Sequence, residues 1–236
     1  MSRPSFRFPG GLSSLLTTSN PKKGNPSEDA KHIYLDHTSS QFMPVDRVKE
    51  LSALPRLVDL NEWLATNTIG FFNHINQCYG VLSEFCAQSC PTMSAGSTQY
   101  TWQEEKGKKV KLSAPKHIDL VMSLIEHLLT DEQTFPTKFG NITGISENQI
   151  KVDGSDFPST FQTQIKKIFK YLCQVLAHIL HGHYQEIVDV NLRDHFNTLT
   201  AHFFVFATTF QLLEQKDLQP VEDFIAALHD PEVLRA

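Results

Sequence analysis

Residues 59–90, DLNEWLATNTIGFFNHINQCYGVLSEFCAQSC, decide the fold expected for this chain. Asp59 is followed three residues later by Glu62, a pattern typical of a helix start in which a side-chain oxygen caps the first backbone N–H groups. Apolar residues then recur close to the helical period as far as Leu82. The stretch therefore predicts one long amphipathic helix that ends near Cys86.

Further segments show the same helical period with start signals of their own. The predicted helices cover 113–129, where Ser113-Ala114-Pro115 forms the cap and first turn, Pro158 to beyond His183, about 194–213, and a short final helix over 220–228. Residues 99–112 contain two aromatic residues, a turn through Gly107 and two aliphatic residues, and this pattern predicts a small β-hairpin. Together these elements predict an all-α fold: a four-helix bundle core with peripheral helices and one hairpin.

The sequence outside the helices predicts a tail and a loop. Residues 1–43 are rich in Ser, Pro, Gly and Lys and have no sustained apolar period, which predicts a flexible N-terminal tail. Residues 44–236 are then expected to form one folded domain. Within it, residues 141–156 are polar and aperiodic, and we interpret them as a loop.

Composition limits the classes of function. The formal charge is -5, and residues 1–27 contain four basic residues and no acidic one, so the remainder is more acidic than the whole chain. A negative surface repels nucleic acid and attracts basic partners, although simple solubility explains it equally well. We find no apolar run long enough to cross a bilayer and no apolar stretch of a secretory signal. We therefore expect no membrane span and no nucleic-acid partner, with the protein in the cytoplasm and also in the nucleus.

Two cysteines and two histidines form a candidate metal site. Cys86 and Cys90 are separated by three residues, and His178 and His183 by four. Thiolate and imidazole are the ligands of structural zinc sites, and these spacings are close to those that such sites use. Because a long stretch of chain separates the two pairs, the ion would join distant elements of one folded domain.

Other interpretations of these residues stay open. Free cysteine commonly packs as a small apolar side chain, so the cysteines could be ordinary core residues. The five-residue step from His178 to His183 places the rings about 140° apart on a regular helix, so a shared ion requires a helix end or a distortion there. His181 is a rival ligand.

A complete set of four ligands indicates a structural ion. A catalytic zinc ordinarily keeps one coordination position open for water, and four protein ligands leave none. The pattern therefore disfavours a zinc hydrolase in which Glu84 or Glu186 would act as the base.

Several ordered motifs resemble the Mob (Mob/phocein) family of kinase co-activators. They are residues 59–68 (DLNEWLATNT), 71–76 (FFNHIN), 84–86 (EFC), 111–116 (KLSAPK), 135–138 (FPTK) and 177–179 (AHI). The resemblance covers roughly residues 54–228. It implies an all-helical core around a four-helix bundle, a structural zinc bound by two Cys and two His, and no catalytic activity.

The resemblance also implies a partner and the residues that meet it. Family members bind the N-terminal regulatory segment of NDR/LATS-family kinases, a basic helical hairpin, and promote the active kinase. Residue by residue, the zinc ligands fall on Cys86, Cys90, His178 and His183, although the family usually places four residues between the cysteines and this chain has three. The kinase-binding positions fall on Asp59, Glu62, Trp63 and Thr66, with His74 and His202 as neighbours. The alternative is that Asp59 only caps its helix and Trp63 belongs to the core.

The branch of the family is indicated by a second set of positions. Type-one Mobs bind phosphorylated peptides with a Lys-Arg pair and a further Arg, where this chain has Lys170, Tyr171 and Gln174. Because phosphate recognition depends on bidentate arginine contacts, phosphopeptide binding is not expected here. Residues 107–111 and 130–136 are more similar to the type-two, NDR-kinase-binding branch. The alternative function is a type-one adaptor that binds LATS-type kinases and phosphorylated scaffolds.

Overall fold

A computed structural model describes residues 43–104, 107–136 and 157–229. Apart from Met43, the predicted tail lies outside the described residues, and so does the whole predicted loop of residues 141–156. The elements are α1 (Val45–Ser52), α2 (Leu60–Ser89), β1 (Ser94–Ala95), β2 (Thr98–Gln99), β3 (Trp102–Gln103), β4 (Lys109–Val110), α3 (Ala114–Thr130), α4 (Phe161–Gly182), α5 (Tyr184–Asp189), α6 (Arg193–Thr209), α7 (Gln215–Leu218), a 3-10 helix (Gln219–Val221) and α8 (Glu222–His229). The protein is therefore mostly helical, as the sequence predicts.

The predicted start of α2 is confirmed. A side-chain oxygen of Asp59 accepts hydrogen bonds from the backbone N–H groups of Asn61 (2.8 Å) and Glu62 (3.2 Å), which satisfies two of the unpaired donors at the helix start. The helix then continues for 30 residues and passes the first cysteine before it ends at Ser89. One face of it, including Ile75 and Leu82, is fully buried.

The four long helices α2, α3, α4 and α6 pack together as the predicted bundle. Its centre is aromatic: the Phe71 ring of α2 meets the edges of Phe169 from α4 at 5.8 Å and Phe203 from α6 at 5.4 Å, measured between ring centroids. The Phe169 and Phe203 rings are themselves stacked at 5.0 Å. Edge-to-face and offset-stacked pairs are the favoured arrangements of aromatic rings, so this cluster fixes how three helices meet.

Two predicted helix ends are wrong. One of them is wrong because a residue other than glycine ends the helix. The sixth helix ends at Thr209 rather than near Leu213, because Gln211 adopts a positive φ of 51° and the Leu212 N–H bonds back to the Ala207 carbonyl. This is the usual left-handed helix stop, which sequence reasoning looks for at glycine. The fourth helix ends at Gly182 and not beyond His183.

The predicted hairpin is confirmed, and a second one precedes it. Trp102 pairs with Val110 in β3 and β4, and Gly107 supplies the positive φ of 78° in the intervening turn. The β1–β2 ladder was not predicted, nor were the short helices α1, α5 and α7. Gly96 lies in the turn between β1 and β2 with a φ of 56°, and an added Cβ there would lie 3.4 Å from the His181 ring.

None of the helices in the described part of the chain combines the length and the apolar character that a bilayer-spanning segment requires.

Candidate functional site

The two predicted ligand pairs meet in one cluster at the end of α2. Each of Cys86, Cys90, His178 and His183 offers a donor atom, and these four atoms lie within 4.8 Å of one another. The Cys86 Sγ is 3.5 Å from His178 Nε2, and the Cys90 Sγ is 3.3 Å from His183 Nε2. A tetrahedral zinc with its usual bond lengths separates a sulfur from a nitrogen by roughly 3.5 Å. The donor set therefore fits that ion.

The short cysteine spacing suits the last turn of a helix. The backbone N–H of Cys90 still bonds to the Cys86 carbonyl at 3.0 Å, so the two residues stand one helical turn apart and on one side of α2. The Cys90 carbonyl in turn accepts the N–H of Ala114, at the start of α3. Three intervening residues are thus enough to bring both sulfurs into the cluster.

The histidine pair depends on a break between α4 and α5. His183 has φ of -138° and ψ of 14°, which interrupts the helix while its N–H still bonds to the Ile179 carbonyl. The break brings the His178 and His183 rings to a centroid distance of 5.2 Å. The expected helix end is therefore present at this point. The rival His181 points elsewhere, with its Nε2 2.6 Å from the Pro220 carbonyl oxygen.

Neighbouring groups orient both imidazoles toward the sulfurs. His178 Nδ1 lies 2.7 Å from the Ser94 carbonyl oxygen, which can only accept, so this nitrogen carries the proton and Nε2 is left with its lone pair. His183 Nδ1 lies 3.6 Å from a carboxylate oxygen of Glu186. Metal-binding histidines commonly direct their second nitrogen to a carbonyl or carboxylate in this way.

The electrostatics of the cluster favour a cation. A hydrogen bond from the Cys86 thiol lowers the pKa of Cys90, and the same hydrogen bond together with burial raises the pKa of Cys86. Burial alone would lower the pKa of His183, but Cys90 and Glu186 outweigh it and raise this pKa to about 9. A bound metal would displace the remaining protons, so its affinity should fall in acid.

The predicted kinase-binding residues occupy the other end of α2. Asp59 and Glu62 are exposed, but Asp59 is committed to capping the helix. Glu62 has no ion-pair partner among the described residues. Trp63 is half-buried and its indole N–H donates to the Ser52 carbonyl at 3.3 Å, so part of this side chain holds α1 in place. The structure thus combines both interpretations of Trp63, as a core contact and as a surface residue.

Three further predicted residues share one recess between α2 and α6. Thr66, His74 and His202 line a cavity of about 190 Å³ together with Gly70. The edge of the His202 ring packs 5.0 Å from Phe71, measured between centroids. The recess therefore brings half of the predicted surface together, while Asp59 and Glu62 lie further toward the N-terminus of α2.

The positions that would bind phosphate are occupied differently. Lys170 Nζ lies 3.7 Å from Asp217 Oδ1, and the Tyr171 ring lies 5.7 Å from the Trp102 ring. The side-chain oxygen of Gln174 is buried without a hydrogen-bond partner among the described residues. The Asp217 contact was not predicted from the sequence, because it is made by α7, a helix of four residues.

The protein is a helical bundle with a Cys/His cluster that fits a metal ion. The chain belongs to the Mob1/phocein family, whose model it matches over residues 40–221. Mouse MOB kinase activator 2 is 44% identical over 211 residues, which cover 88% of this chain and 83% of the mouse protein. The human protein of that name is 42% identical over the same coverage. MOB kinase activator-like 1 homolog A of Dictyostelium discoideum is 38% identical over 89% of this chain and 94% of its own. The two higher identities support the type-two branch. These relatives are named as kinase activators, and such activators are adaptors rather than enzymes.

Proposed function

We propose that this protein is a non-catalytic co-activator that binds the N-terminal regulatory segment of an NDR-family Ser/Thr kinase and promotes its active state. The observation that carries the proposal is the 44% identity to a MOB kinase activator 2 over 88% of the chain. The processes we propose are cell polarity, morphogenesis and cell-cycle signalling, in the cytoplasm and the nucleus.

The proposed kinase surface runs along the first half of α2 and into the recess with α6. Glu62 offers an exposed carboxylate to the basic residues of the kinase segment, and the half-exposed Trp63 offers an apolar anchor beside it. Aromatic anchors and paired charges commonly dominate the energy of such interfaces. Charges on α1 add little, because Arg47 pairs with Glu50 and Lys49 with Asp46.

The Cys/His cluster would hold a structural zinc ion in this proposal. The zinc would join the end of α2 to the junction of α4 and α5, and so would stabilise the bundle that presents the kinase surface. Because four protein ligands complete the tetrahedron, the ion would have no open position for chemistry. This arrangement supports an adaptor rather than a hydrolase.

The type-one alternative requires a phosphate site, and the described residues argue against one. Lys170 is the sole cation among the three matching positions, and it already lies beside Asp217. One ammonium without an arginine fork is a weak phosphate ligand. We therefore propose an NDR-type partner rather than a LATS-type kinase with a phosphorylated scaffold.

The test is capture of a kinase by the purified full-length protein. Immobilised protein should retain NDR-type kinase, and a peptide of the kinase N-terminal segment should compete for it. Glu62→Lys should weaken retention, and Glu126→Lys, an exposed charge reversal on α3, is the matched control. Equal retention by the parent and both variants would place the kinase surface elsewhere, and retention of no kinase at all would refute the proposal.

A further inference from the structure

A second group of imidazole and thiol side chains lines a groove between α2 and α6. The groove has a volume of about 600 Å³. Four of its lining residues carry an imidazole or a thiol, and they are His74 and Cys78 on α2 with His195 and His202 on α6. None of the four belongs to the Cys86 cluster, and no part of the proposed zinc role uses them.

Helical spacing puts each pair on one side of its helix. His74 and Cys78 are four residues apart, one turn of α2, and His195 and His202 are seven apart, two turns of α6. Residues at this spacing project to the same face. Two donors from each helix therefore face one groove.

The direction of the helices lines the donors up in pairs. Thr66 near the start of α2 shares the smaller recess with His202, whereas Val81 further along α2 shares the groove with Leu192 at the N-terminus of α6. The two helices therefore run antiparallel. In that arrangement His74 lies toward the His202 end of the groove, and Cys78 toward the His195 end.

The chemical state of the donors suits a metal. Burial, and then the nearby His74, lower the pKa of His202 and so favour its neutral ring. The Nε2 atom of His202 is buried and has no hydrogen-bond partner among the described residues. A buried ring nitrogen without a partner is costly, and a metal ion is one way to satisfy it.

The donors need a side-chain rotation before they can share an ion. Among the described residues, only the Cys86 cluster already has its donor atoms within 4.8 Å of one another. His74 and His195 are exposed, so their rings can rotate toward Cys78 and His202 while the backbone stays in place. The rotation costs side-chain entropy, so this site should bind more weakly than a preformed cluster.

We propose that His74, Cys78, His195 and His202 form a second, exchangeable site for a borderline divalent metal ion such as Zn²⁺. Imidazole and thiolate are the ligands that this class of ion prefers. The ion would link α2 to α6 across the groove. Unlike an ion in the buried Cys86 cluster, it could exchange with solvent. The proposal does not depend on kinase binding.

The test is a zinc titration of the full-length protein, in competition with a chromophoric chelator at neutral pH. The parent should retain one equivalent more tightly and take up a second, weaker equivalent. Cys78→Ser, His74→Gln and His202→Gln should each lower the affinity for the second equivalent by more than about tenfold. His127→Gln, an exposed histidine on α3, is the control and should leave both equivalents unchanged.

Cobalt gives a readout that a merely structural change would not move. With the tighter site filled by zinc, a further equivalent of Co²⁺ should produce a thiolate-to-cobalt absorption band that Cys78→Ser abolishes. Circular dichroism should show each variant folded, and His195→Gln, at an exposed position, replaces any variant that is not. Absence of a second equivalent in the parent would overturn the proposal, and so would a second equivalent that survives both Cys78→Ser and His202→Gln.

Discussion

The two ends of α2 carry the two candidate sites, and they differ in how the chain holds them. At the C-terminal end, Cys86 and His183 are fully buried, and side chains from α2, α4 and the residue that follows each of them meet in one cluster. At the N-terminal end, Asp59 and Glu62 are exposed, and the Asp59 side chain also caps the helix. A buried metal site is thus defined by contacts among side chains of the same chain, whereas a partner-binding surface is defined by contacts with groups on the partner.

This difference sets the size of effect expected at each end. Removing one ligand from a buried cluster leaves the other polar groups buried without a partner, which is costly. Changing one exposed carboxylate affects binding while the fold is maintained, because the side chain makes few contacts within the protein.

The comparison is tested most severely by His178→Ala. Binding free energy of a structural zinc is folding free energy, with apparent values of about 10–16 kcal/mol in zinc-finger peptides. That range exceeds or equals the whole stability of most domains, about 5–15 kcal/mol. We therefore expect the variant to lose its metal and to unfold or melt at a much lower temperature. Elemental analysis and thermal unfolding check this.

The same measurements on Cys90→Ala test the short cysteine spacing. We expect loss of the metal, since the Cys90 sulfur lies 3.3 Å from His183 Nε2. Full zinc retention in this variant would show that Cys90 is not a ligand. Zinc well below one equivalent in the parent itself would show that the Cys/His cluster at this end of α2 does not hold a structural zinc ion.

Phosphopeptide binding is the next test, because it asks whether the partner surface has a second, phosphate-binding part. The parent should bind phosphothreonine peptides negligibly, and Tyr171→Arg with Gln174→Arg should tighten the binding by about 3 kcal/mol through two charge-assisted hydrogen bonds. The new binding should weaken with added salt. Calorimetric titration checks both proteins, and micromolar binding by the parent would favour the type-one function.

Charge reversal at Glu62 tests the exposed end directly. Glu62→Lys should weaken binding of the kinase segment by about 2 kcal/mol if the partner arginine is desolvated, and by much less if it lies at the rim. Calorimetry on the parent, this variant and Glu126→Lys gives the difference. A folded Glu62→Lys protein with parental affinity would show that the surface has been assigned to the wrong residues.

The smallest effect concerns pH and belongs to the buried end. His117 is fully buried, and burial lowers its pKa, while the neighbouring Gln174 side chain opposes part of this shift. The unfolded chain therefore takes up the proton more readily, so stability from this residue is complete above about pH 6.5 and is lost as the pH falls below it. The slope is at most about 1.4 kcal/mol per pH unit for one proton.

His117→Phe isolates this contribution because it keeps a ring beside Trp102 but cannot titrate. Below about pH 6.5, the free energy of unfolding measured with urea should fall less steeply with decreasing pH in the variant than in the parent. Identical slopes would mean that the His117 ring titrates equally in the folded and unfolded chains.

Sequence reasoning succeeded where the local signals were strong. The Asp59 cap, the Pro115 helix start and the Gly107 turn each have a local chemical cause that can be read without tertiary structure. The four residues of the Cys/His cluster were singled out for the same reason, because few residue types bind zinc and their spacing is restricted, and the structure brings them together.

The failures have physical causes as well. Asn191 and Gln211 end α5 and α6 with φ values of 56° and 51°, and neither is the glycine that marks such stops. The short helix α1 is held by the packing of the buried Val48, and α7 by a capping box of Glu214 and Asp217, since so few turns cannot form alone. The exposed surface could be assigned only through family resemblance, because an acidic residue at a helix start also serves as a cap, as Asp59 does.

The ligand pairs have a further consequence for how the protein folds. Cys86 and His178 are separated by 92 positions along the chain, so a shared ion would close a very long loop. Closing a loop costs entropy that rises with its length, and contacts of such separation form late. We therefore expect that refolding is limited by the meeting of α2 with α4, through Phe71 and Phe169, and that the ion acts afterwards as a cross-link that slows unfolding.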